Sequence, residues 1–413
     1  MPTSQKAVLT REVDRAFRSL PERYLGAPEG FDATWHVVLG DVGRSWEVRC
    51  TANAARVRAG LTRRRPDVTI GTDAETWLQL RQGELSGIEA FSQRRLYVRG
   101  ELDLAVGFEG LFRLPNGRPP LLRIHEVPAG RGKVSTLTIG EGPDVLLLHG
   151  LGSSKASFMD TAAALSRQGY RVHALDLPGF GSSSKGPAVY GPRFFARRVL
   201  DVMDALGIER AHLVGNSMGG RVALELGLEH PERVGALVLL CPAVSFVRRG
   251  WQPIVRLLRP EFGLLPHSLG RGRIEKTFWS LFHDRDQIDP TVADVVVDEF
   301  ERIYRSPGAR LAFLGSARAI YLDEPFGRDG LYTRLGNLRP PALFVWGSHD
   351  WLIPAGFRRH VEASLPSADH IVLDNCGHVP QVECPERTNG LIRRFFSHAD
   401  ALVGAPGAVS QAA

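Results

Sequence analysis

The second part of the chain alternates short apolar runs with helical patterns, and this alternation constrains the fold more than any other feature. The apolar runs are DVLLLHG, YRVHALDLPG, AHLVGNS, VGALVLLC, PALFVWG and DHIVLD. Helical stretches such as FMDTAAALSRQG and RFFARRVLDVMDALG fall between them. Continuous apolar strands that alternate with helices form a parallel sheet that is buried on both faces. The pattern therefore predicts an α/β domain over residues 120–398.

One long segment interrupts this alternation. Between the strand that ends at Cys241 and the strand that begins near Ala342, the patterns are mostly helical and no strand is obvious. Ligands of α/β proteins bind at the carboxyl edge of the sheet, and insertions at that edge often carry function. We therefore expect residues 242–340, approximately, to form a helical cap over that edge. A purely structural insertion is the alternative.

Residues 8–115 have a different rhythm and predict a small α+β domain. LTREVDRAFRSL places its apolar residues on one helical face, and SWEVRC, PDVTI and RRLYV have strand character. TDAETWLQLRQG predicts a helix that begins with a capping box of Thr72 and Glu75 and ends at Gly83. Proline and glycine in LPNGRPPLL mark the boundary between the domains. Residues 399–413 are expected to form a disordered tail.

The stretch LVGNSMGGRVALEL places a serine between a strand pattern and a helix pattern. The strand pattern ends at Val214, residues Gly215 to Gly219 fit G-x-S-x-G, and a helical pattern follows. This context is typical of a sharp turn that holds a serine hydroxyl at the end of a sheet, where the flanking glycines let the strand and the helix pack closely. We therefore predict that Ser217 is a catalytic nucleophile.

A serine hydroxyl needs a base that takes its proton and a carboxylate that orients the base. In this fold the acid and then the base follow the serine along the chain. Asp350 follows the run PALFVWG and His378 follows DHIVLD, so both would reach the same sheet edge as Ser217. We predict that His378 is the base and Asp350 the acid. Asp374, which is too close in sequence to His378, and His349, which neighbours Asp350, are weaker alternatives.

Acyl transfer also needs donors for the oxyanion that develops on the substrate. One donor should be the backbone N–H of Met218, directly after the nucleophile, and the other should come from a loop after an early strand. The loop in VLLLHGLGSS suits this role, and we predict that Leu151, between the motif glycines Gly150 and Gly152, provides the second N–H. A glycine turn without function is the alternative.

The composition is ordinary for a globular protein, with 43% hydrophobic residues and a net charge of +6. No nucleic-acid-binding motif accompanies the charge, so we expect no nucleic-acid partner, although weak attraction to anionic lipid is compatible with it. Four cysteines are too few for a disulfide framework and lack zinc spacing, so we expect no metal and a reducing cytoplasm. The N-terminus lacks a signal-peptide pattern, and no apolar run is long enough to span a membrane.

The second domain resembles the α/β-hydrolase family over residues 120–398. The motifs HGLGSS, DLPGFGSS, GNSMGG, GSHDWLIP and CGHVPQVECPE occur in this order. The resemblance implies the α/β-hydrolase fold, a mostly parallel sheet with a helical cap, and serine-hydrolase chemistry without a cofactor. Ser217 separates this chain from the epoxide-hydrolase and dehalogenase branches, which use aspartate at that position.

GNSMGG is also similar to the branch that hydrolyses carbon–carbon bonds in ring-opened aromatic or steroid catabolites. Two features differ from that branch. The loop HGLGSSKASF lacks the glycine-proline-glycine form that is common there, and Val379 follows His378 where that branch tends to have tryptophan.

The first domain is similar to the sterol-carrier-protein-2 family over residues 10–115. The matching pattern runs from PDVTIGTDAETWLQLRQGEL to AFSQRRLYVRGELDLAVGFEGLF. The resemblance implies that this domain binds lipids, such as sterols or fatty acyl chains, in an apolar tunnel without catalysis. A purely structural domain is the alternative.

These features together predict a serine hydrolase that cleaves an ester of an apolar acyl or sterol-like small molecule. Four aromatic residues of the cap would line its pocket or pack between helices: Trp251, Phe278, Trp279 and Phe282. A carbon–carbon hydrolase is the first alternative. Four arginines would bind its substrate carboxylate or face solvent: Arg248, Arg249, Arg256 and Arg259. A lipid carrier without catalysis is the second alternative, but the complete order of serine, acid and base argues against it.

Overall fold

The computed structural model describes residues 3–244, 252–257, 259–265, 270–288 and 290–404. The chain divides into two compact units. The first comprises residues 1–124 and 137–140, and the second comprises residues 125–136 and 141–413. Within the described ranges, no helix is both long enough and apolar enough to cross a lipid bilayer.

The first unit is built from short helices and a sheet. Its elements in chain order are α1 (Thr3–Arg18), β1 (Asp32–Leu39), β2 (Arg44–Thr51), β3 (Ala54–Ala59), β4 (Val68–Thr72), α2 (Ala74–Gln82), α3 (Gly87–Ser92), β5 (Leu96–Gly100) and α4 (Leu102–Gly107). The sheet has the strand order β3-β2-β1-β4-β5. Only the neighbours β1 and β4 pair in parallel among the ladders described for this sheet. The predicted α+β character is confirmed, although β1 and β3 were not recognised in the sequence.

Aromatic packing joins the helices of this unit to its sheet. The Phe17 ring of α1 lies 4.0 Å from the Trp46 ring of β2 and 4.6 Å from the Trp77 ring of α2, and it is nearly parallel to both. All three residues are buried. Stacked aromatic rings stabilise a core beyond the area that they bury. Phe17 therefore fastens α1 to both its neighbours.

The helix α2 begins one residue later than the sequence pattern indicated. Asp73 is its N-cap, and its carboxylate accepts hydrogen bonds from the backbone N–H and the hydroxyl of Thr76. Thr72 lies in β4, where its hydroxyl instead donates to the carbonyl of Arg95. The predicted capping box of Thr72 and Glu75 was wrong, because aspartate is at least as good an N-cap as threonine. The predicted end at Gly83 is correct, since Gly83 adopts the left-handed C-cap conformation.

The remaining elements belong mainly to the second unit. In chain order they are β6 (Leu122–Ala129), β7 (Gly132–Ile139), β8 (Asp144–Leu148), α5 (Met159–Ser166), β9 (Arg171–Leu175), α6 (Pro192–Ala205), β10 (Ala211–Asn216), α7 (Met218–Glu229), β11 (Val234–Leu240), α8 (Gln252–Leu257), α9 (Arg271–Trp279), α10 (Pro290–Tyr304), α11 (Pro307–Leu322), α12 (Leu331–Leu335), β12 (Ala342–Gly347), α13 (Arg358–Ser364), β13 (Asp369–Leu373), α14 (Pro380–Glu383) and α15 (Pro385–Gly404).

The second sheet has the strand order β13-β12-β11-β10-β8-β9-β7-β6. From β13 to β9 every neighbouring pair is parallel. Strands β10 and β12 are buried along their whole length, because helices cover both faces of the sheet. The predicted α/β fold with a mostly parallel sheet is confirmed. Helices α8 to α12 lie between β11 and β12, in the interval predicted for the cap.

The last helix extends further than predicted. Residues 399–413 were expected to be a disordered tail, but α15 continues to Gly404, and residues 405–413 lie outside the described residues. Ala399 is buried, and the Asp400 carboxylate bonds to the Tyr170 hydroxyl at 2.8 Å and to His212 Nε2 at 2.9 Å. These distant partners hold the helix end in place, and they are not visible in local composition.

A buried charge network connects α7 to α12. The Glu225 side chain is 1% exposed and accepts hydrogen bonds from the guanidinium groups of Arg221 and Arg334 at 2.7–3.0 Å. Burial alone would raise the pKa of the Glu225 carboxyl, but the hydrogen bonds and charges of Arg334 and Arg221 outweigh burial and lower this pKa to about 2. The carboxylate is therefore charged throughout the physiological range.

We expect Glu225→Gln to reduce the free energy of unfolding at pH 7 by about 3 kcal/mol, because it leaves the buried Arg221 charge without its main partner. The carboxylate of Glu225 stabilises the fold above its ordinary pKa of 4.5, and this contribution is lost as the pH falls towards about 2. The difference between wild type and variant in urea unfolding should therefore shrink between pH 4.5 and 2. Glu229→Gln, one turn later and partly exposed, is the control and should change stability by less than about 1 kcal/mol. A difference that is independent of pH would contradict the assignment.

Candidate active site

The predicted nucleophile lies in a strained turn between β10 and α7. Ser217 has a φ of 52° and a ψ of −113°, outside the regions that side chains usually allow. Its N–H donates to the Leu240 carbonyl at 2.9 Å, and its carbonyl accepts from Ala243 N–H at 3.0 Å. Such a backbone conformation costs about 1–3 kcal/mol and persists only where surrounding structure enforces it. The adjoining strand end enforces it here.

The motif glycines allow this turn to be compact. A Cβ atom on Gly219 would lie 2.0 Å from the Leu148 carbonyl oxygen, and one on Gly215 would lie 2.4 Å from the Gly219 carbonyl oxygen. Neither position has space for a side chain. The start of α7 can therefore approach both β8 and β10, which brings Ser217 to the carboxyl edge of the sheet.

The predicted acid and base are in direct contact. Asp350 Oδ2 lies 2.6 Å from His378 Nδ1, and both residues are 4% exposed. The other carboxylate oxygen of Asp350 accepts the backbone N–H groups of Leu352 and Ile353, each at 2.9 Å. Because the carboxylate is an acceptor, it holds the proton on Nδ1 and leaves Nε2 as the proton-accepting nitrogen.

The Asn216 side chain, next to the serine, bonds to the turn of residues 377–379, which we call the histidine turn. Asn216 Nδ2 donates to the His378 carbonyl and to the Leu240 carbonyl, each at 3.1 Å. The structure thus brings the loops that carry Ser217, Asp350 and His378 together. The weaker alternative residues, Asp374 and His349, are exposed.

The loop after β8 supplies the predicted second oxyanion donor. A Cβ atom on Gly150 would lie 3.4 Å from Ser217 Cβ, so this loop packs against the serine. The Gly150 carbonyl accepts from His149 Nδ1 at 2.7 Å and from Ser153 N–H at 3.2 Å. A planar peptide then directs the Leu151 N–H away from those groups. Neither the Leu151 nor the Met218 N–H has an acceptor within the described part of the chain.

His149 orients this loop, and sequence reasoning missed it. Its Nε2 accepts the Leu177 N–H at 3.0 Å, which places the ring proton on Nδ1, facing the Gly150 carbonyl. The ring is fully buried, and burial lowers the pKa of His149 and keeps it neutral. Its position inside the HGLGSS motif was the signal that could have identified it.

A buried ion pair supports the same loop from below. Lys155 Nζ lies 2.6 Å from Asp176 Oδ2, and the Lys155 N–H donates to Asp176 Oδ1 at 2.8 Å. Burial alone would raise the pKa of Asp176, but the Lys155 charge, the His149 ring and the hydrogen bonds from Lys155 together outweigh burial and lower this pKa. Asp176 opens the DLPGFGSS motif, so this motif has a structural role that the sequence did not reveal.

Cys241 lies beside the acid and the base. Its Sγ, an Asp350 carboxylate oxygen and a His378 ring nitrogen lie within 4.8 Å of one another. Burial, followed by the nearby Asp350 charge, raises the pKa of the Cys241 thiol well above its usual range. Asp350 and His378 already bond to each other through Oδ2 and Nδ1 at 2.6 Å, and the Cys241 side chain packs beside this pair.

A small apolar cavity lies between the cap and the loop after β8, residues 149–154, which we call the oxyanion loop for its predicted role. Its volume is about 20 Å³, and it is lined by Gly152, Ser153, Phe180, Phe300, Ile303, Tyr304, Ala309 and Phe313. A Cβ atom on Gly152 would lie 2.9 Å from the Phe313 ring and 3.0 Å from the Phe300 ring. Helices α10 and α11 therefore pack directly on this loop.

The cap aromatics that the sequence singled out have another role. Phe278, Trp279 and Phe282 pack with one another and with Val379 and Val382, beside the histidine turn. These side chains therefore pack between helices, as in the alternative that we stated above, and the described part of the structure does not show them lining a pocket. Two of the four candidate arginines, Arg256 and Arg259, are exposed. The other three predicted residues lie outside the described residues: Trp251, Arg248 and Arg249.

The strand order, the strained serine turn and the buried aspartate–histidine pair define an α/β hydrolase. Residues 143–385 match the model of the alpha/beta hydrolase fold family, and residues 17–113 match the SCP-2 sterol transfer family. The chain belongs to the α/β-hydrolase fold family. Its N-terminal part carries a sterol-transfer-like domain, as predicted.

Three similar proteins illustrate the range of the family. A 2-hydroxy-6-oxononadienedioate/2-hydroxy-6-oxononatrienedioate hydrolase of Paraburkholderia phymatum is 32% identical over 282 residues, 67% of this chain and 91% of that protein. A pimeloyl-[acyl-carrier protein] methyl ester esterase of Aeromonas hydrophila is 30% identical over 264 residues, 63% and 98% of the two chains. The crystal structure of a bacterial membrane phospholipase A has a TM-score of 0.57 and 28% identity, and covers 68% of this chain and 87% of its own.

The Asp350–His378 hydrogen bond predicts a large effect of removing the carboxylate on the reaction rate. We expect Asp350→Asn to lower kcat by about 10⁴-fold, because an asparagine amide in this place favours the wrong histidine tautomer. Steady-state kinetics on any ester that the wild type hydrolyses would measure it. The matched control is Asp374→Asn, an exposed aspartate near His378, which should leave kcat unchanged. A loss of less than tenfold for Asp350→Asn would exclude Asp350 as the orienting acid.

Proposed function

We propose that the chain is a serine hydrolase that cleaves an ester bond of an apolar acyl or sterol-like substrate. The Ser217 hydroxyl attacks the ester carbonyl while His378 Nε2 takes its proton, and Asp350 stabilises the imidazolium. The backbone N–H groups of Leu151 and Met218 bind the oxyanion. His378 then protonates the leaving alcohol, and a water molecule, activated by the same histidine, releases the acid from Ser217.

The observation that carries the proposal is the apolar cap wall beside the oxyanion loop. Phe180, Phe300 and Phe313 face the cavity, and none of its described lining residues carries a charge at neutral pH. The buried guanidinium next to this wall, Arg310, bonds through each of its three nitrogens to backbone carbonyls, including Gly263 at 2.7 Å and Arg305 at 2.7 Å. Such a wall favours an apolar acyl chain over an anionic one, because a buried carboxylate needs a partner.

A carbon–carbon hydrolase is the second candidate. It is favoured by the Paraburkholderia phymatum relative, which matches over most of its length and is named as the hydrolase of a dioate. The same serine, histidine and aspartate would serve both reactions. The candidates differ in what the cap must recognise, since a dioate requires cationic partners near Ser217 and an apolar ester does not.

An ester series distinguishes the two candidates. We expect turnover of p-nitrophenyl esters between C2 and C16, with kcat/KM rising with chain length until the pocket is filled, and none with Ser217→Ala. The wild type should hydrolyse 2-hydroxy-6-oxononadienedioate far more slowly than its best ester. Faster turnover of the dioate would replace the ester proposal with the carbon–carbon hydrolase. Inactivity on both would favour the lipid carrier without catalysis.

For the first unit, we propose binding of an apolar carboxylic acid, consistent with the sterol-transfer match. Arg81 is only 3% exposed, and its Nε and Nη2 lack partners among the described residues, as do Trp77 Nε1 and Glu109 Oε1. Burial lowers the pKa of Arg81 to about 9 and raises that of Glu109 to about 7. Each unsatisfied buried group costs about 1–3 kcal/mol, and a ligand carboxylate would satisfy Arg81.

This second proposal predicts selectivity for the acid head group. In the Ser217→Ala chain, stearic acid should displace a fluorescent fatty acid more effectively than stearyl alcohol does. Arg81→Met should weaken stearic acid binding by about 10- to 100-fold and leave the alcohol unaffected, because only the acid uses the charge. Arg99→Met, an exposed arginine on β5, is the control. Equal affinities for acid and alcohol would contradict a role for Arg81.

A further inference from the structure

Residues 280–284 lie between α9 and α10, and we call this segment the cap turn. It contacts the loop that carries Asp350. Trp351, which follows Asp350, donates its indole N–H to the Ser280 carbonyl at 2.6 Å. The His283 ring stacks on the His349 ring, with 3.6 Å between centroids and 21° between planes. The cap turn is therefore attached to the residues on both sides of Asp350.

The cap turn also contacts the base. The His378 N–H donates to the Leu281 carbonyl at 2.7 Å. Gly377 packs so closely on the cap turn that a Cβ atom there would lie 2.4 Å from the Leu281 carbonyl oxygen. Val379, on the other side of His378, belongs to the apolar cluster of Phe278, Trp279 and Phe282.

One buried carboxylate joins the two segments. Glu383 is 1% exposed and lies at the end of α14. Its Oε1 accepts the backbone N–H groups of His283 and Asp284, each at 2.7 Å, and its Oε2 accepts the Gly377 N–H at 2.6 Å. Hydrogen bonds to a carboxylate are roughly twice as strong as those between neutral groups. No described element other than the cap turn and the histidine turn donates to this carboxylate.

We propose that Glu383 is a positioning residue that locks the His378 turn to the cap turn, so that His378 is correctly placed only when the cap is seated. The inference rests on the proposed serine-hydrolase function. The cavity between the cap and the loop after β8 has a volume of about 20 Å³, room for about one water molecule, so a substrate that binds there has to displace the cap. A cap that moves while bonded to the base would link substrate entry to the position of the base.

The test is Glu383→Gln, which keeps the size of the side chain but turns one acceptor oxygen into a donor that faces N–H groups. We expect kcat per active site to fall by about 10- to 100-fold with KM nearly unchanged, because the base is displaced while the aromatic wall is intact. Active sites are counted by complete labelling of Ser217 with a fluorophosphonate probe, and the labelling rate should fall in parallel. A purely structural role would lower the melting temperature and leave kcat per labelled site unchanged.

Two further variants keep the test independent of folding. Trp351→Phe removes only the bond from the exposed indole to Ser280 and should lower kcat by about two- to tenfold. In the double variant with Glu383→Gln, the fold-loss of kcat should be smaller than the product of the two single losses, since both residues act through the cap turn. Glu386→Gln, an exposed glutamate three residues along, is the matched control and should behave as wild type.

Hydrogen exchange separates this inference from the proposed function, because it needs no substrate. In Glu383→Gln, the amides of residues 377–378 and 283–284 should exchange faster together, and in Trp351→Phe the histidine turn should loosen as well. Faster exchange confined to the cap turn, or unchanged kcat per site in Glu383→Gln, would overturn the inference. Coupled exchange in a chain whose wild type hydrolyses no ester would support the linkage and reject the proposed function instead.

Discussion

The strained turn at Ser217 is the constraint on which the rest of the second unit depends. Its φ of 52° is held because the turn bonds to Leu240 and Ala243 and because Gly219 packs against the Leu148 carbonyl. Strands β8, β10 and β11 must therefore end at one level. Once they do, every loop that follows them arrives at the serine, including the oxyanion loop and, one strand further, the acid.

The parts of this arrangement that could be predicted from sequence are those set by local pattern and chain order. Apolar runs located the parallel strands, and G-x-S-x-G located the turn. The positions of Asp350 and His378 after two strands indicated their meeting, which the 2.6 Å contact shows. Strands β1, β3, β6 and β7 were missed. Strands β3 and β6 lie at sheet edges, whereas β1 and β7 are buried inside their sheets but have their apolar runs broken by polar residues such as His36 and Thr136. The capping residue of α2 was missed because Thr72 and Asp73 both suit the position.

What escaped prediction are the polar groups whose partners are distant in sequence. His149 acts through Leu177, Lys155 through Asp176 and Asp400 through Tyr170. Each is a buried polar group that requires a hydrogen-bonding partner, but only the fold decides which partner it meets. Glu383 is the extreme case, because its three bonds go to backbone N–H groups, which every sequence has. Because the donors are backbone groups, the residue types around them do not indicate these contacts, and only the glutamate itself is visible in the sequence.

Buried ion pairs and the apolar wall lie at different places in the second unit. Buried charges lie behind the site, where Lys155 with Asp176 and Arg221 with Glu225 fix the oxyanion loop and the helix that follows the serine. The cavity that borders the loop after β8 is lined, in the described part of the chain, by aromatic and other uncharged side chains. In the mechanism that we propose, an oxyanion at Ser217 would meet the backbone N–H groups of Leu151 and Met218, and such an attraction is strongest where solvent is scarce. Ionised side chains beside such donors would compete with them, and the described lining of this cavity carries none, which supports the neutral acyl chemistry that we propose for Ser217.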